Sequence, residues 1–159
     1  MALEIERKFL VNSEDYKKDS YKNYKIIQGF LSTSKNAVVR IRITDTKAFI
    51  TIKGRSNNSG TTRYEWEKEI PLKEGQDLLA LSSTSVIKKI RYLVKIKNHI
   101  FEVDEFKDDN KGLVIAEIEL NSENEKFIKP QWLGEEVTGN GAYYNVLLSQ
   151  NPYKNWKTK

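Results

Sequence analysis

Charged residues recur in this chain at alternate positions. Glu4, Glu6 and Lys8 are spaced by two, as are Arg40 and Arg42, Arg63, Glu65 and Glu67, Lys89 and Arg91, Glu102 and Asp104, and Glu117 and Glu119; Lys53 follows Thr51 in the same way. In an extended strand, residues i, i+2 and i+4 share a face. The intervening positions are apolar or aromatic: Leu3, Ile5 and Phe9, Val39, Ile41 and Ile43, Ile50 and Ile52, Tyr64 and Trp66, Ile90, Tyr92 and Val94, Phe101 and Val103, Ala116, Ile118 and Leu120. One face therefore gathers seven cations (Lys8, Arg40, Arg42, Lys53, Arg63, Lys89, Arg91) with Glu4, Glu6, Glu65, Glu67, Glu102, Asp104, Glu117 and Glu119. It holds little of the Thr, Ser and Gln common on solvated strands. Two arrangements fit. One is an ordinary sheet with a solvated charge lattice, in which each exposed pair contributes ~0–1 kcal/mol. The other is a barrel turned inside out, its charges lining a wet lumen; eight strands can close around one small ligand. So many charges could be buried only with water and an equally charged guest.

The elements that must position these residues are mostly strands. Alternation marks 3–11, 38–44, 47–53, 61–70, 89–97, 100–106 and 113–120, with a weaker candidate at 25–32. Nearly all are joined by short segments rich in Gly, Asn, Asp and Ser, which tolerate positive φ or bond their own backbone. Helices are expected at 72–82, after Pro71, at 122–128, where Ser122 and Glu125 have capping-box spacing, and at 143–149. The expected class is α+β: an antiparallel sheet with a few short helices, in one domain spanning 1–159. The 159 residues include no cysteine, which removes disulfides, thiolate metal sites and a cysteine nucleophile. The N-terminus lacks a signal-peptide pattern and no apolar run approaches membrane-helix length, so a cytoplasmic location is expected. A formal charge of +5 points towards anionic partners in general.

The same residues, in order, resemble the CYTH domains, or triphosphate tunnel metalloenzymes. Glu4-Ile5-Glu6-Arg7-Lys8 matches their ExExK signature, Arg40-Ile41-Arg42 their RxR strand, Thr51-Ile52-Lys53-Gly54 TxKG, Arg63-Tyr64-Glu65-Trp66-Glu67 RxExE, Lys89-Ile90-Arg91-Tyr92 KxRY, Asp104-Glu105-Phe106 DxF, and Ala116-Glu117-Ile118-Glu119 AEIE. Gly134-Glu135-Glu136-Val137-Thr138 is similar to the terminal GxEVT segment, and 143–148 to the final helix. The resemblance covers essentially the whole chain. It implies an eight-stranded antiparallel β-barrel, the triphosphate tunnel, with a few short flanking helices. The activity implied is divalent-metal-dependent hydrolysis of a triphosphate, inorganic or organic.

On that resemblance, Lys8, Arg40, Arg42, Lys53, Lys89, Arg91 and Arg63 grip phosphate oxygens, Arg by paired hydrogen bonds. Glu4, Glu6, Asp104, Glu117 and Glu119 hold Mg²⁺ or Mn²⁺, which take oxygen ligands. Glu65 and Glu67, with Lys8 and Arg63, are placed at the catalytic step, the carboxylates completing a second metal site or orienting water; Glu102 has the right parity with less support. Phe30 stands where many members carry Tyr and is read as a packing residue. The loop 54–60 lacks the Lys-Ser/Thr of a P-loop and is read as a turn.

His99 is expected in a solvated turn, 108–112 as a plain turn rather than a calcium loop, Trp66, Trp132 and Trp156 as packing residues, and Lys154, Lys157 and Lys159 as a solvated, frayed tail. Competing functions are a class IV-type adenylate cyclase, which needs an adenine pocket that the sequence does not reveal, and a non-catalytic polyphosphate- or RNA-binding module, against which the paired carboxylates argue. No membrane partner is expected, and nucleic acid would enter only through a 5′-triphosphate. An apolar outer face left uncovered by short helices would suit a homodimer.

Overall fold

A computed structural model describes residues 2–157. Its strands are β1 (Ala2–Val11), β2 (Lys22–Ser34), β3 (Ala37–Thr44), β4 (Lys47–Lys53), β5 (Thr62–Ile70), β6 (Ile87–Ile96), β7 (His99–Phe106), β8 (Val114–Glu119) and β9 (Leu133–Glu136). The order is β5-β4-β3-β2-β6-β7-β8-β1, and β1 returns to β5, so eight antiparallel strands close on themselves. Closure divides β1. Ala2–Ile5 pair with β5, Glu6–Leu10 with β8, and Phe9 and Val11 with β9, which continues the wall beyond β5.

The register sets the charged faces side by side. Arg40 lies opposite Thr51, Thr51 opposite Glu67, Lys53 opposite Glu65, Arg91 opposite Asp104, and Lys8 opposite Glu117. The barrel is thus inverted, and much of its apolar core lies outside. Phe9, Val94, Phe101, Val103, Ala116, Ile118 and Trp132 form a cluster on the outer face of β1, β6, β7 and β8, under the segment 120–133 and the short helix α1 (Tyr16–Asp19). Helix α2 (Leu72–Leu79) begins after Pro71 and packs on β2, β3 and β4. A second cluster lies inside one end of the barrel. Phe30, Val38, Ile87, Phe106 and Ile115 share the inward parity of Arg40, Lys89 and Asp104, and they pack with Leu148 of helix α3 (Asn145–Leu148), Tyr143, Val146, Tyr153 and Trp156.

Several expectations are corrected. Residues 122–128 form a turn and extended chain, not a helix: the Glu125 carboxylate accepts from Asn121 N–H and pairs with His99, while Phe127 packs on the outer cluster. His99 opens β7, with its ring against Phe127 rather than in solvent. The third helix starts later, after a 3₁₀ turn at Gly141–Tyr143, and α2 ends before 82. The C-terminal segment is ordered as a 3₁₀ turn, Tyr153–Asn155, with Trp156 stacked edge-on to Tyr143 and Tyr153 and Lys154 paired to Asp109; Lys159 lies outside the described residues. Trp132 is buried, whereas Trp66 is exposed beside Tyr64 and Leu3. Helix α1 and strand β9 were not anticipated. Among the described residues, no helix is long and apolar enough to cross a membrane.

Gly75 marks where α2 touches the barrel: a Cβ there would stand 2.3 Å from the Ala48 Cβ. Gly→Ala ordinarily stabilises a helix interior by about 1 kcal/mol. Here the overlap reverses the sign. Gly75→Ala is expected to destabilise by about 1–3 kcal/mol in chemical denaturation, and Ala48→Gly in the same chain is expected to restore most of the loss.

Candidate active site

All seven predicted cations converge. Lys8 (β1), Arg40 and Arg42 (β3), Lys53 (β4), Arg63 (β5), and Lys89 and Arg91 (β6) line one cavity, with Glu6, Glu117, Phe30, Val38 and the C-terminal residues Tyr144, Asn145 and Val146. The free space is only about 50 Å³, room for a few waters. It is small because the charges have closed on each other. Lys53 Nζ donates to both Glu4 oxygens at 2.9 and 3.2 Å and lies 3.4 Å from Glu65. Lys8 Nζ reaches Glu117 at 3.1 Å, and Arg40 reaches Glu67 at 3.5 Å. Thr51 Oγ1 donates to the same Glu67 oxygen at 2.8 Å. Beyond Arg42 and Arg91 the cavity wall is shared with a wider space of about 470 Å³ bounded by the Thr44–Lys47 turn, Phe49, Glu67 and Glu102.

Asp104 is the most buried of the carboxylates assigned to metal. Arg91 Nε and Nη2 donate to its two oxygens at 2.7 and 2.9 Å, and Lys89 Nζ lies 2.7 Å from one of them. Both oxygens are committed to cations, and the residue is 1 % exposed. Arg91 also reaches Glu102 at 3.0 Å. Among the described residues, no three carboxylates or histidines gather at metal-ligand geometry.

The electrostatics divide the site. Burial opposes ionisation of Glu4, but Lys53, a hydrogen bond with Glu65 and the Arg63 charge hold it down to about 2. Burial likewise opposes Glu117, yet Lys8, Arg91 and Lys89 keep it well below the carboxylate range. Their neighbours move the other way. Burial, with the Glu117 and Glu4 charges, pushes Glu6 up to about 8; burial and Glu4 raise Glu65 to about 7; burial, Glu4 and Glu102 raise Glu119. Ionised carboxylates are thus crowded against others that resist ionisation, Glu4 beside Glu65 and Glu6 beside Glu117. That all-oxygen donor set suits a hard divalent cation, which would relieve the same repulsion. Among the cations, burial with Arg40 and Arg91 lowers Arg42 to about 9, and burial outweighs Asp104 to lower Lys89 to about 7. Arg40 Nε is buried with no hydrogen-bond partner. Such an orphan costs about 1–3 kcal/mol.

Sequence reasoning missed three participants. Gln28, fully buried on β2, accepts from Arg42 Nε at 2.9 Å and donates to Asn145 Oδ1 at 2.7 Å. Asn145 Oδ1 also accepts from Lys89 Nζ at 2.8 Å. The Tyr144 ring lies under Lys8 and Arg63, at 5.3 and 5.5 Å. Phe30 is buried in the apolar end. The GxEVT-like segment braces β1: Val137 N donates to Lys8 O, Lys8 N to Thr138 Oγ1, and Glu136 takes Arg7 through two hydrogen bonds.

The CYTH domain model matches residues 2–144. The chain belongs to the CYTH domain family. A curated relative from Acetivibrio thermocellus named "Inorganic triphosphatase" is 45% identical over 158 residues, covering 99% of each chain. Another of that name, from Nitrosomonas europaea, is 33% identical over 150 residues, covering 92% of this chain and 96% of the relative. A crystal structure of an inorganic triphosphatase superposes with a TM-score of 0.65 at 32% identity, covering 94% of this chain and 95% of that one.

Within this CYTH barrel, Asp104 has its folded pKa depressed, to about 2 from 3.8. Its contribution to stability is therefore complete above pH ~4 and is lost as pH falls towards 2. Asp104→Asn, measured by denaturation in EDTA, is expected to cost about 3–5 kcal/mol at pH 7, because it removes the buried carboxylate that Arg91 and Lys89 share, and the gap from wild type should narrow below pH ~3. A loss seen only with divalent cation present would instead make Asp104 a metal ligand.

Proposed function

We propose that this CYTH protein hydrolyses a triphosphate inside the barrel with a divalent cation, and that inorganic tripolyphosphate is its leading substrate. The observation that carries the reading is the convergence of seven cations from five strands on one cavity. The naming of two well-covered relatives as inorganic triphosphatases supports the same reaction.

Lys8, Arg40, Arg42, Lys53, Arg63, Lys89 and Arg91 bind phosphate oxygens, and the arginines stabilise the charge that develops as the anhydride bond breaks. Glu4, Glu6, Glu117 and Glu119 hold the cation, Mg²⁺ or Mn²⁺. When bound, the cation neutralises phosphate oxygens that would otherwise face carboxylates. Asp104, also assigned to the metal on resemblance, holds Arg91 and Lys89 in place. Glu65 and Glu67 orient the attacking water, with Lys8 and Arg63 beside it. Water adds to one phosphorus, the bridging oxygen leaves with diphosphate, and a proton passes from the water to a carboxylate. Substrate entry has to part the Lys53–Glu4, Lys8–Glu117 and Arg40–Glu67 pairs.

The test is phosphate release from tripolyphosphate, ATP and thiamine triphosphate with Mg²⁺, Mn²⁺ or EDTA, with the ATP reaction followed for cyclic AMP. Release from tripolyphosphate that EDTA abolishes is expected. The Glu4→Gln/Glu6→Gln variant should lose at least ~10²-fold in kcat/KM, and Arg40→Ala ~10²–10³-fold. Undiminished turnover by the double variant would refute the metal assignment, and cyclic AMP with diphosphate as the products would make the protein a cyclase.

A further inference from the structure

The barrel is charged over only part of its length. At the end where β2 and β3 meet, the inward residues become Phe30, Val38, Ile87, Phe106 and Ile115, and Leu148 seals the space with no exposure. The C-terminal segment is therefore part of the barrel interior. On the far side of that segment is a groove of about 520 Å³ with Lys35 and Arg55 among its lining residues, which shares Val38, Arg63, Tyr144 and Val146 with the charged cavity as a common wall. At the opposite end the boundary is charged rather than apolar: Arg42 and Arg91 line both the charged cavity and the wider space beyond. One end is lined by charge and the other is filled by apolar side chains.

Asn145 stands at the boundary between charge and apolar stop. Its Oδ1 accepts from Lys89 Nζ at 2.8 Å and from Gln28 Nε2 at 2.7 Å. Gln28 in turn accepts from Arg42, and Lys89 pairs with Asp104. The Asn145 oxygen thus occupies, without charge, a position of the kind a phosphate oxygen would take between a lysine and a polar donor. Because it is neutral, it does not cancel Lys89 as a second carboxylate would, and because α3 is pinned by Leu148, it cannot easily withdraw. We propose, on the reading that the cavity binds a triphosphate, that Asn145 is the end stop of a blind tunnel and a specificity-determining residue for chain length. A chain of three phosphates ends against Lys89 and Asn145. A fourth phosphate, or a group esterified at that end, meets the Tyr144–Val146 wall.

The test compares linear chains of three and four phosphates in wild type, Asn145→Ala and Asn145→Asp, by hydrolysis with the divalent cation and by calorimetric binding in EDTA. Removing the side chain opens the stop, so Asn145→Ala should raise the ratio of kcat/KM for tetrapolyphosphate over tripolyphosphate about tenfold, chiefly through KM, and shift the Kd ratio in the same direction. Asn145→Asp puts a carboxylate beside Lys89, where a phosphate would sit, and should weaken tripolyphosphate binding at least tenfold without lowering Tm. A merely structural role would lower Tm and depress both substrates alike. Unchanged chain-length ratios in Asn145→Ala, both kinetic and calorimetric, would overturn the proposal. The calorimetric ratio reads the stop even where no phosphate is released, so a silent hydrolysis assay in wild type would count against the reaction and not against the stop.

Discussion

Inward-facing charge in a closed β-barrel has to be compensated inside the barrel. A sheet can leave its polar face to bulk water, but an eight-stranded barrel has an interior too narrow for that, and an unpaired ion there costs several kcal/mol. In this chain the walls compensate themselves. Lys53 lies between Glu4 and Glu65, Lys8 reaches Glu117, and Arg91 and Lys89 share Asp104. Strand register makes the pairs, since most partners sit directly opposite on neighbouring strands. The resulting interior is stable enough to fold yet poorly satisfied at particular atoms. Arg40 Nε has no acceptor, and Glu6 and Glu65 are pushed above the carboxylate range by burial and by neighbouring carboxylates. Those are the places where a polyanion and a hard cation would each improve on what the walls provide.

The core had to move elsewhere. With the lumen polar, apolar burial falls to the outer face under 120–133 and α2 and to one end of the lumen. The second location has a functional consequence, because the apolar end and the C-terminal segment that fills it determine how far a ligand can travel. The braces on β1 serve the same arrangement: Thr138 and Val137 hold the backbone of Lys8, and Glu136 holds Arg7 on the outside.

Much of this was legible in the sequence, for a physical reason. Parity along a strand is a local property, so Arg40 and Arg42, or Glu117 and Glu119, announce a common face without knowledge of their neighbours. Strand β2 read weakly because its inward residues, Ile26, Gln28 and Phe30, carry no charge to set against an apolar face. Gln28 and Asn145 were missed for a related reason: neutral amides become site residues only when the fold brings a strand and a C-terminal helix 117 residues apart into contact. The expected helix at 122–128 failed because Glu125, which fits a capping box locally, is claimed by His99 and Asn121. Asp104 shares its parity with the other metal candidates, and its pairing with Arg91 and Lys89 appears only in three dimensions.

The central claim is that opposite charges in the lumen hold each other until substrate and cation replace them. The most direct measurement is a crystal structure of the protein with a non-hydrolysable imido analogue of tripolyphosphate and Mn²⁺, whose anomalous signal locates the ion. The account predicts phosphates lying between Lys8, Arg40, Arg42 and Lys53, an oxygen on Arg40 Nε, the ion on Glu4 and Glu6, and the Lys53–Glu4 and Lys8–Glu117 contacts opened. An analogue bound outside the barrel, with those ion pairs intact, would contradict it.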